Sequence, residues 1–522
     1  MKPPCDQAVI EVGPVAAPCA RREEPWILAV AILGSSLAFI DSTVVNVALP
    51  ALQAGLGGTV TDIQWVVEAY GLLLGALILA GGSLGDLLGR RRMFLIGIAI
   101  FAAASAACGL AADIRELVLA RAVQGLGAAF LVPGSLAIIS ASIEERARGR
   151  AIGTWSGFTA ITTAAGPVIG GWLIEHASWR WAFFINLPIA AAVIALALWR
   201  VPESTSGAPS PVDWAGALLA TVGLGGLVYG LIESARLGWS DVAVWGSVAA
   251  GCVALGGFVA VEARASAPMV PPELFRSRNF RGANLLTLFL YAALGIFSFL
   301  LPLDLIQVQG YSATATGAAT LPLILLMFLL SRWSGGLVAR HGARRPLLIG
   351  PLIAAAGFLL FALPSVGGSY WRAFFPAFVV LGFGLAVSVA PLTTVVMSAV
   401  DQHRAGTASG INNAVARVAG LLAIAVFGIV MAGAFRSRLD RGVAALKLPA
   451  GVMQQLQNNE NRLGAVAVPA GVDAGTATAI RAAIDNAFVF GFRSIMLDCV
   501  LLSVASAACA WRMIGTSCSG GR

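Results

Sequence analysis

The chain has 522 residues, 58% of them hydrophobic and only 11% charged, against roughly a quarter charged in soluble domains, so a soluble fold is excluded. Its formal charge of +8 does not point to nucleic acid, because the basic residues are scattered through many short joints and form no basic domain or aromatic-basic platform. Apolar stretches of the length that crosses a bilayer, about 20 residues, recur from Trp26 almost to the C-terminus.

Residues 1–25 form a polar tail, expected in the cytoplasm. The apolar run that follows is longer than a signal-peptide core and has no small-residue cleavage site, so no cleaved signal is expected. The predicted spans are 26–50, 65–85, 93–112, 117–140, 151–174, 182–199, 214–233, 242–262, 282–306, 315–338, 346–364, 373–397, 411–435 and 488–511. Counted from a cytoplasmic N-terminus, the inner joints hold Arg90 to Arg92, Arg146, Arg148, Arg150, Arg264, Arg276, Arg278, Arg281, Arg340, Arg344 and Arg345. The short outer loops hold Arg115, Arg180, Arg236 and Arg372, the asymmetry that the positive-inside rule demands. Both termini are therefore expected inside. The polar segment 436–487 reads as a translocated loop with some helix, and 512–522 as a cytoplasmic tail.

Gly82, Leu84, Gly89, Arg91 and Arg92 recur as Gly335, Leu337, Gly342, Arg344 and Arg345, each 253 residues on (335 minus 82). Two related halves follow: a six-helix bundle over 26–200 and another over 282–511, with spans 7 and 8 inserted between them in 201–281. The chain is thus an all-α membrane protein with 14 transmembrane helices. Lys2 and Lys447 are the only lysines among 34 basic residues and alanine and glycine abound, the composition of a GC-rich bacterial genome.

Ionisable side chains inside a bilayer cost about 2.5 to 3.5 kcal/mol each and are functional candidates by default. Asp41 stands about two-thirds of the way across span 1. A carboxylate withdrawn from water takes up a proton more readily, which makes Asp41 the first choice for proton coupling. Arg121 lies near the inner start of span 4, where it neutralises a carboxylate, holds polar backbone between helices, or anchors the helix by snorkelling to the cytoplasm. Glu68, roughly one turn into span 2, and Asp304, near the outer end of span 9, would with Asn46 and Gln124 line a cavity suited to cationic amphipathic cargo, or else lie solvated near the interface. Asp498 is deeper, in span 14, and has no assignable role. Asp86, between Gly82 and Gly89 and followed by Arg90 and Arg91, can face a helix N-terminus and pair with arginine; in the second copy Ala339 replaces the acid. Gly166, Pro167, Gly170 and Gly171 predict a bend or a tight crossing in span 5. Trp26, Trp65, Trp179, Trp181, Trp214 and Trp371 fall at span ends as interfacial anchors.

The cysteines at 5, 19, 108, 252, 499, 509 and 518 lack metal-ligand spacing, so neither disulfide nor metal is expected. His176, His341 and His403 all lie near loops, which argues against an enzyme, and no phosphate-cradling loop of the form Gly-x-x-x-x-Gly-Lys-Ser/Thr is present.

The joint Gly82-Ser83-Leu84-Gly85-Asp86-Leu87-Leu88-Gly89-Arg90-Arg91-Arg92 resembles the signature loop of the major facilitator superfamily. Asp41 to Pro50, Trp179 to Pro188, Arg121 to Gly125, Gly166 to Gly171, Gln307 to Ser312 and Gly406 to Gly410 resemble its fourteen-span drug:proton antiporter branch. Thr162, where that branch usually has glycine, Glu68 and Asp304 depart from the pattern. The resemblance implies a major facilitator fold, proton coupling through Asp41 and Arg121, and a conformational latch built on Gly82, Asp86, Gly89, Arg90 and Arg91. It further implies export of amphipathic drugs by alternating access at a bacterial inner membrane, with the proton gradient as energy source, no cofactor, and small molecules, protons and the lipid bilayer as partners of a monomer. Export of a dedicated metabolite, lipid or siderophore, or a non-transporting sensor, are the alternatives.

Overall fold

The computed structural model describes residues 23–205, 212–265, 268–400 and 404–515. The expectations for the N-terminal tail up to residue 22, for residues 516–522, for His403 and for Cys5, Cys19 and Cys518 lie outside them. Every regular element among the described residues is helical, and 14 helices are long and apolar enough to cross a membrane. In a bilayer this is the economical solution, since a helix satisfies all its backbone polar groups within one segment.

The spanning helices are α1 (Glu24–Leu56), α2 (Val60–Leu88), α3 (Arg90–Leu110), α4 (Ile114–Ser142), α5 (Glu145–His176), α6 (Asn186–Arg200), α7 (Trp214–Leu237), α8 (Val242–Glu262), α9 (Arg278–Leu303), α10 (Leu321–Gly335), α11 (Arg344–Phe361), α12 (Phe375–Ser398), α13 (Ala405–Ala444) and α14 (Ala474–Met513). One helical turn at Trp181–Phe184 precedes α6 and completes the sixth span, Trp181–Arg200, and a short helix at Ala313–Ala319 precedes α10 and opens the tenth, Ala313–Ser331. Polar residues at the ends stop these helices: Asp113 accepts the amides of Arg115 and Glu116, both at 2.8 Å, at the start of α4. At the start of α14, Asp473 accepts from the hydroxyl and amide of Thr476, which hold its carboxyl below the usual range.

Apolar run and helix do not coincide. α1 continues through Pro50 to Leu56. α13 and α14 are 40 residues each, about 60 Å long at 1.5 Å per residue, or twice the hydrocarbon thickness. The polar segment expected over 436–487 is therefore in part the protruding ends of these two helices, because polar residues end an apolar stretch without ending an alanine-rich helix. The remainder carries the helix Ala450–Asn459 and a turn at Glu460–Ala465.

The chain divides into two compact units. One comprises the chain up to Val45, Val66–Gly225 and Ala250–Pro272; the other comprises Asn46–Trp65, Gly226–Ala249 and the chain from Glu273 onward. Within the second unit the turn after Asn459 is tied to the ends of α1 and α9. Gln53 donates to the carbonyl of Arg462 at 3.2 Å and accepts from Gln307 at 2.9 Å, and Arg462 donates to the carbonyl of Gly57 at 3.2 Å. Gly89 and Gly342, the matching glycines of the repeat, both have positive φ, 112° and 75°, so the repeated sequence adopts one kind of backbone turn twice.

Large apolar side chains stand exposed along the helices, among them Leu218 and Val222 of α7 and Val242, Trp245, Val253 and Val259 of α8. Hydrocarbon is the solvent that accommodates them, and the chain is a multi-pass membrane protein. Trp26, Trp181, Trp214 and Trp371 are exposed, as an anchor requires, but Trp179 is buried and Trp65 is half-buried, donating to Glu233 of α7 at 3.0 Å. These two pack inside protein.

Candidate functional site

Asp41 lies in the middle of α1 and is 0% exposed; Arg121 of α4 is 1% exposed. The Arg121 Nη1 group donates to Asp41 Oδ2 at 2.6 Å and to Gln124 Oε1 at 2.8 Å. Asp41 Oδ1 accepts from Gln124 Nε2 at 2.8 Å and from Asn186 Nδ2 at 3.0 Å. The amide of Asn186, at the start of α6, also donates to the Ser105 hydroxyl of α3, at 3.1 Å, and that hydroxyl donates to the Phe183 carbonyl at 2.8 Å. On the other side Arg121 Nε donates to the Val66 carbonyl of α2 at 3.1 Å, and the guanidinium lies 4.2 Å over the Tyr70 ring. Helices α1, α2, α3, α4 and α6 thus converge on one carboxylate and one guanidinium.

The backbone allows this because small residues stand where helices cross. A Cβ on Gly125 would lie 2.3 Å from the Tyr70 carbonyl oxygen, so glycine lets α4 approach α2 closely enough for Arg121 to reach Val66. Gly166 and Gly170 of α5 lie against Thr43 and Val44 of α1, where a Cβ would come within 2.2 Å and 2.6 Å of their side chains. Pro167 sits inside an uninterrupted α5. The Ser36 hydroxyl of α1 donates to Thr162 Oγ1 at 3.0 Å, which gives the departure from glycine a hydrogen-bonding role.

Burial decides between alternatives that the sequence left open. Arg121 does not snorkel: it is sealed from solvent and held by Asp41, Gln124, the Val66 carbonyl and the Tyr70 ring. Counted from a cytoplasmic N-terminus the fourth span also starts at the outer face, so Arg121, about two turns into α4, is on the outer rather than the inner side. Glu68 and Asp304 are not solvated either, at 0% and 2% exposed. Asp304 opens a π-helical turn, Asp304–Val308, followed by Gln309, whose side-chain carbonyl oxygen accepts from the Gly367 amide at 3.0 Å. Gln124 is a strut of the Asp41–Arg121 pair. Asn46 and Asp498 are half-buried.

At the other end of α2, Asp86 pairs with Arg90 at 2.7 Å within one turn. The helix N-terminus there is faced by a different acid, Glu203, which follows α6 and was not foreseen. Its two oxygens accept the amides of Arg91 and Arg92, each at 3.0 Å, and Arg91 donates to the Val201 carbonyl at 2.8 Å. A Cβ on Gly89 would sit 2.8 Å from the Glu203 carboxyl carbon and push that side chain aside, while the φ of 112° is what favours glycine there. A Cβ on Gly82 would meet Pro133 of α4 at ordinary contact distance, 3.6 Å. Glu203→Ala is expected to lower thermal stability by only about 0.3 to 1 kcal/mol, the worth of a partly exposed carboxylate at a helix N-terminus, in a detergent melting assay; no loss would remove Glu203 from the clasp.

Comparison with known proteins agrees with this architecture. Residues 31–424 match the family model of the Major Facilitator Superfamily. The chain is 38% identical over 421 residues to the multidrug resistance protein Stp of Mycobacterium tuberculosis, covering 78% of this chain and 76% of that one. It is 36% identical to the tetracenomycin C resistance and export protein of Streptomyces glaucescens (79% and 77% covered) and 31% identical to the methylenomycin A resistance protein of Bacillus subtilis (78% and 87% covered). Among solved structures, an inward-facing bacterial homolog of the human lysosomal transporter Spinster superposes with a TM-score of 0.67 at 16% identity, covering 95% of this chain and 98% of that one. The POT family transporter PepTSo superposes with a TM-score of 0.60, also at 16% identity, covering 95% and 99%. A family model that spans most of the chain, and relatives 31% to 38% identical that cover more than three quarters of it, place the chain in the Major Facilitator Superfamily.

Proposed function

We propose that the protein is a proton-coupled exporter of amphipathic drugs or other toxic organic compounds, working by alternating access in the bacterial cytoplasmic membrane with both termini inside. The observation that carries this reading is the Asp41–Arg121 pair, a fully buried charge pair at 2.6 Å in a helix otherwise suited to hydrocarbon. Such a pair is a poor device for stability, since desolvating two ions offsets most of their attraction. As a switch it is useful: a proton on Asp41 Oδ2 cancels the carboxylate charge, weakens the hold on Arg121 Nη1, and leaves an uncompensated guanidinium that favours a different packing of α1 against α4. Arginine itself stays charged throughout and so acts on the proton affinity of its partner. Protons entering along their gradient would then alternate with cargo leaving, and no cofactor or nucleotide is required. The names of the relatives, a multidrug resistance protein and antibiotic resistance and export proteins, support drugs as the cargo.

A relative named as a probable actinorhodin transporter, 31% identical and covering 82% of this chain, favours a second reading, export of one dedicated product. Breadth of cargo separates the two. Expression in an efflux-deficient host should raise resistance to several unrelated amphipathic compounds, and Asp41→Asn, present in the membrane at the same level, should abolish it. Equal resistance from both would remove Asp41 from coupling, protection against one compound would favour the dedicated exporter, and no protection or proton movement across a broad panel would favour a sensor.

A further inference from the structure

Glu68 is absent from the switch just described, yet it is the most anomalous group in the membrane-spanning region. It is 0% exposed, and neither carboxyl oxygen has a hydrogen-bond partner. Among the described residues no ion pair reaches it. The polar groups around it in sequence are engaged elsewhere: Asp62 with Thr59 at 2.8 Å, Gln64 with the Ile424 carbonyl at 3.3 Å, and Trp65 with Glu233. Arg121 is turned to Val66, Tyr70, Gln124 and Asp41.

Asp41 and Glu68 are therefore opposites. A carboxylate that accepts three hydrogen bonds, one of them from a guanidinium, is stabilised as an anion; a bare one sealed from water is tolerated only as the neutral acid. We propose that Glu68 is a second proton-exchanging carboxyl, carrying its proton in the conformation described here and releasing it when α2 moves the side chain into water. The placement supplies the link to the first site. Val66 and Tyr70, the two α2 residues that grip Arg121, flank Glu68 on the same helical turn, so a rotation or shift of that turn large enough to hydrate Glu68 must also break or remake the hold on Arg121. Proton loss at one site and rearrangement at the other become a single movement. The proposal rests on the proton-coupled reading above.

The test uses the full-length protein in proteoliposomes and dicyclohexylcarbodiimide, a lipophilic reagent that modifies protonated carboxyls. Mass spectrometry should find the adduct on Glu68 in the wild type and in Asp41→Asn, and none at that position in Glu68→Gln. In wild type the labelling should fall when exported cargo is added. Glu68→Gln, nearly the same size, should exchange fewer protons per cargo molecule than wild type, and Glu68→Asp should restore part of the loss, which a packing role for Glu68 would not give. A wild type that exchanges protons for cargo but stays unlabelled at Glu68, or unchanged stoichiometry in Glu68→Gln, overturns the proposal alone. A wild type that moves no protons with any exported cargo overturns the antiport reading first, and the role of Glu68 with it.

Discussion

Asp41→Leu is expected to destabilise the protein by about 3 to 5 kcal/mol, the cost of leaving a buried ion without its partner, and Arg121→Met by distinctly less. The inequality follows from the chemistry of the two groups. Without Asp41 the guanidinium at 1% exposure keeps its charge at any working pH and has only Gln124, the Val66 carbonyl and the Tyr70 ring to hold it. Without Arg121 the carboxyl can take up a proton and remain hydrogen-bonded to Gln124 and Asn186. The double variant Asp41→Leu/Arg121→Met should recover most of the loss from Asp41→Leu, since an apolar pair of similar volume is often as stable as the ions it replaces. Thermal unfolding of the four proteins in detergent gives the cycle directly. Simple additivity in the double variant would mean that the pair is not energetically a unit, and equal destabilisation by the two single variants would mean that the bare carboxyl is tolerated no better than the bare guanidinium.

The spans, the repeat and the signature joint were legible in the sequence because each is a local property: an apolar run of fixed length, or a short word. Asp41 and Arg121 were legible for the related reason that a charge in an apolar run stands out whatever it touches. Their partners were not. Asn186 was visible as part of a motif, but nothing in its neighbourhood says that it bonds a residue 145 positions away, and Ser105, a small polar residue in a small-residue helix, gives no signal. Glu203 was missed because an acid just beyond a span end reads as ordinary solvated loop; its role depends on the chain folding back to the start of α3. Glu68 and Asp304 were found as charges and misjudged in depth. Position along a helix does not determine which face a side chain occupies, and it is the face that decides between water and protein.

Gly125→Ala should be among the most damaging single-methyl changes in the protein, for a reason that the sequence hints at only as one glycine of a motif. The added Cβ would fall 2.3 Å from the Tyr70 carbonyl oxygen and 3.0 Å from its carbon. Both are backbone atoms, which cannot rotate away as a side-chain tip would, so α4 and α2 must separate. Overpacking of this kind costs about 1 to 3 kcal/mol, but here the geometry adds a functional loss. The same displacement lengthens the 3.1 Å bond from Arg121 to the Val66 carbonyl and lifts the guanidinium from the Tyr70 ring. Gly256→Ala in α8 is the matched control, since a Cβ there meets nothing within 4 Å, and its melting temperature should equal that of wild type or slightly exceed it. Transport should separate the two further, with Gly256→Ala unchanged and Gly125→Ala impaired even at temperatures where it remains folded. If Gly125→Ala melts and transports like Gly256→Ala, the close crossing of α2 and α4 does not set the position of Arg121, and the reach of the guanidinium to Asp41 must be fixed by the remaining helices α1, α3 and α6.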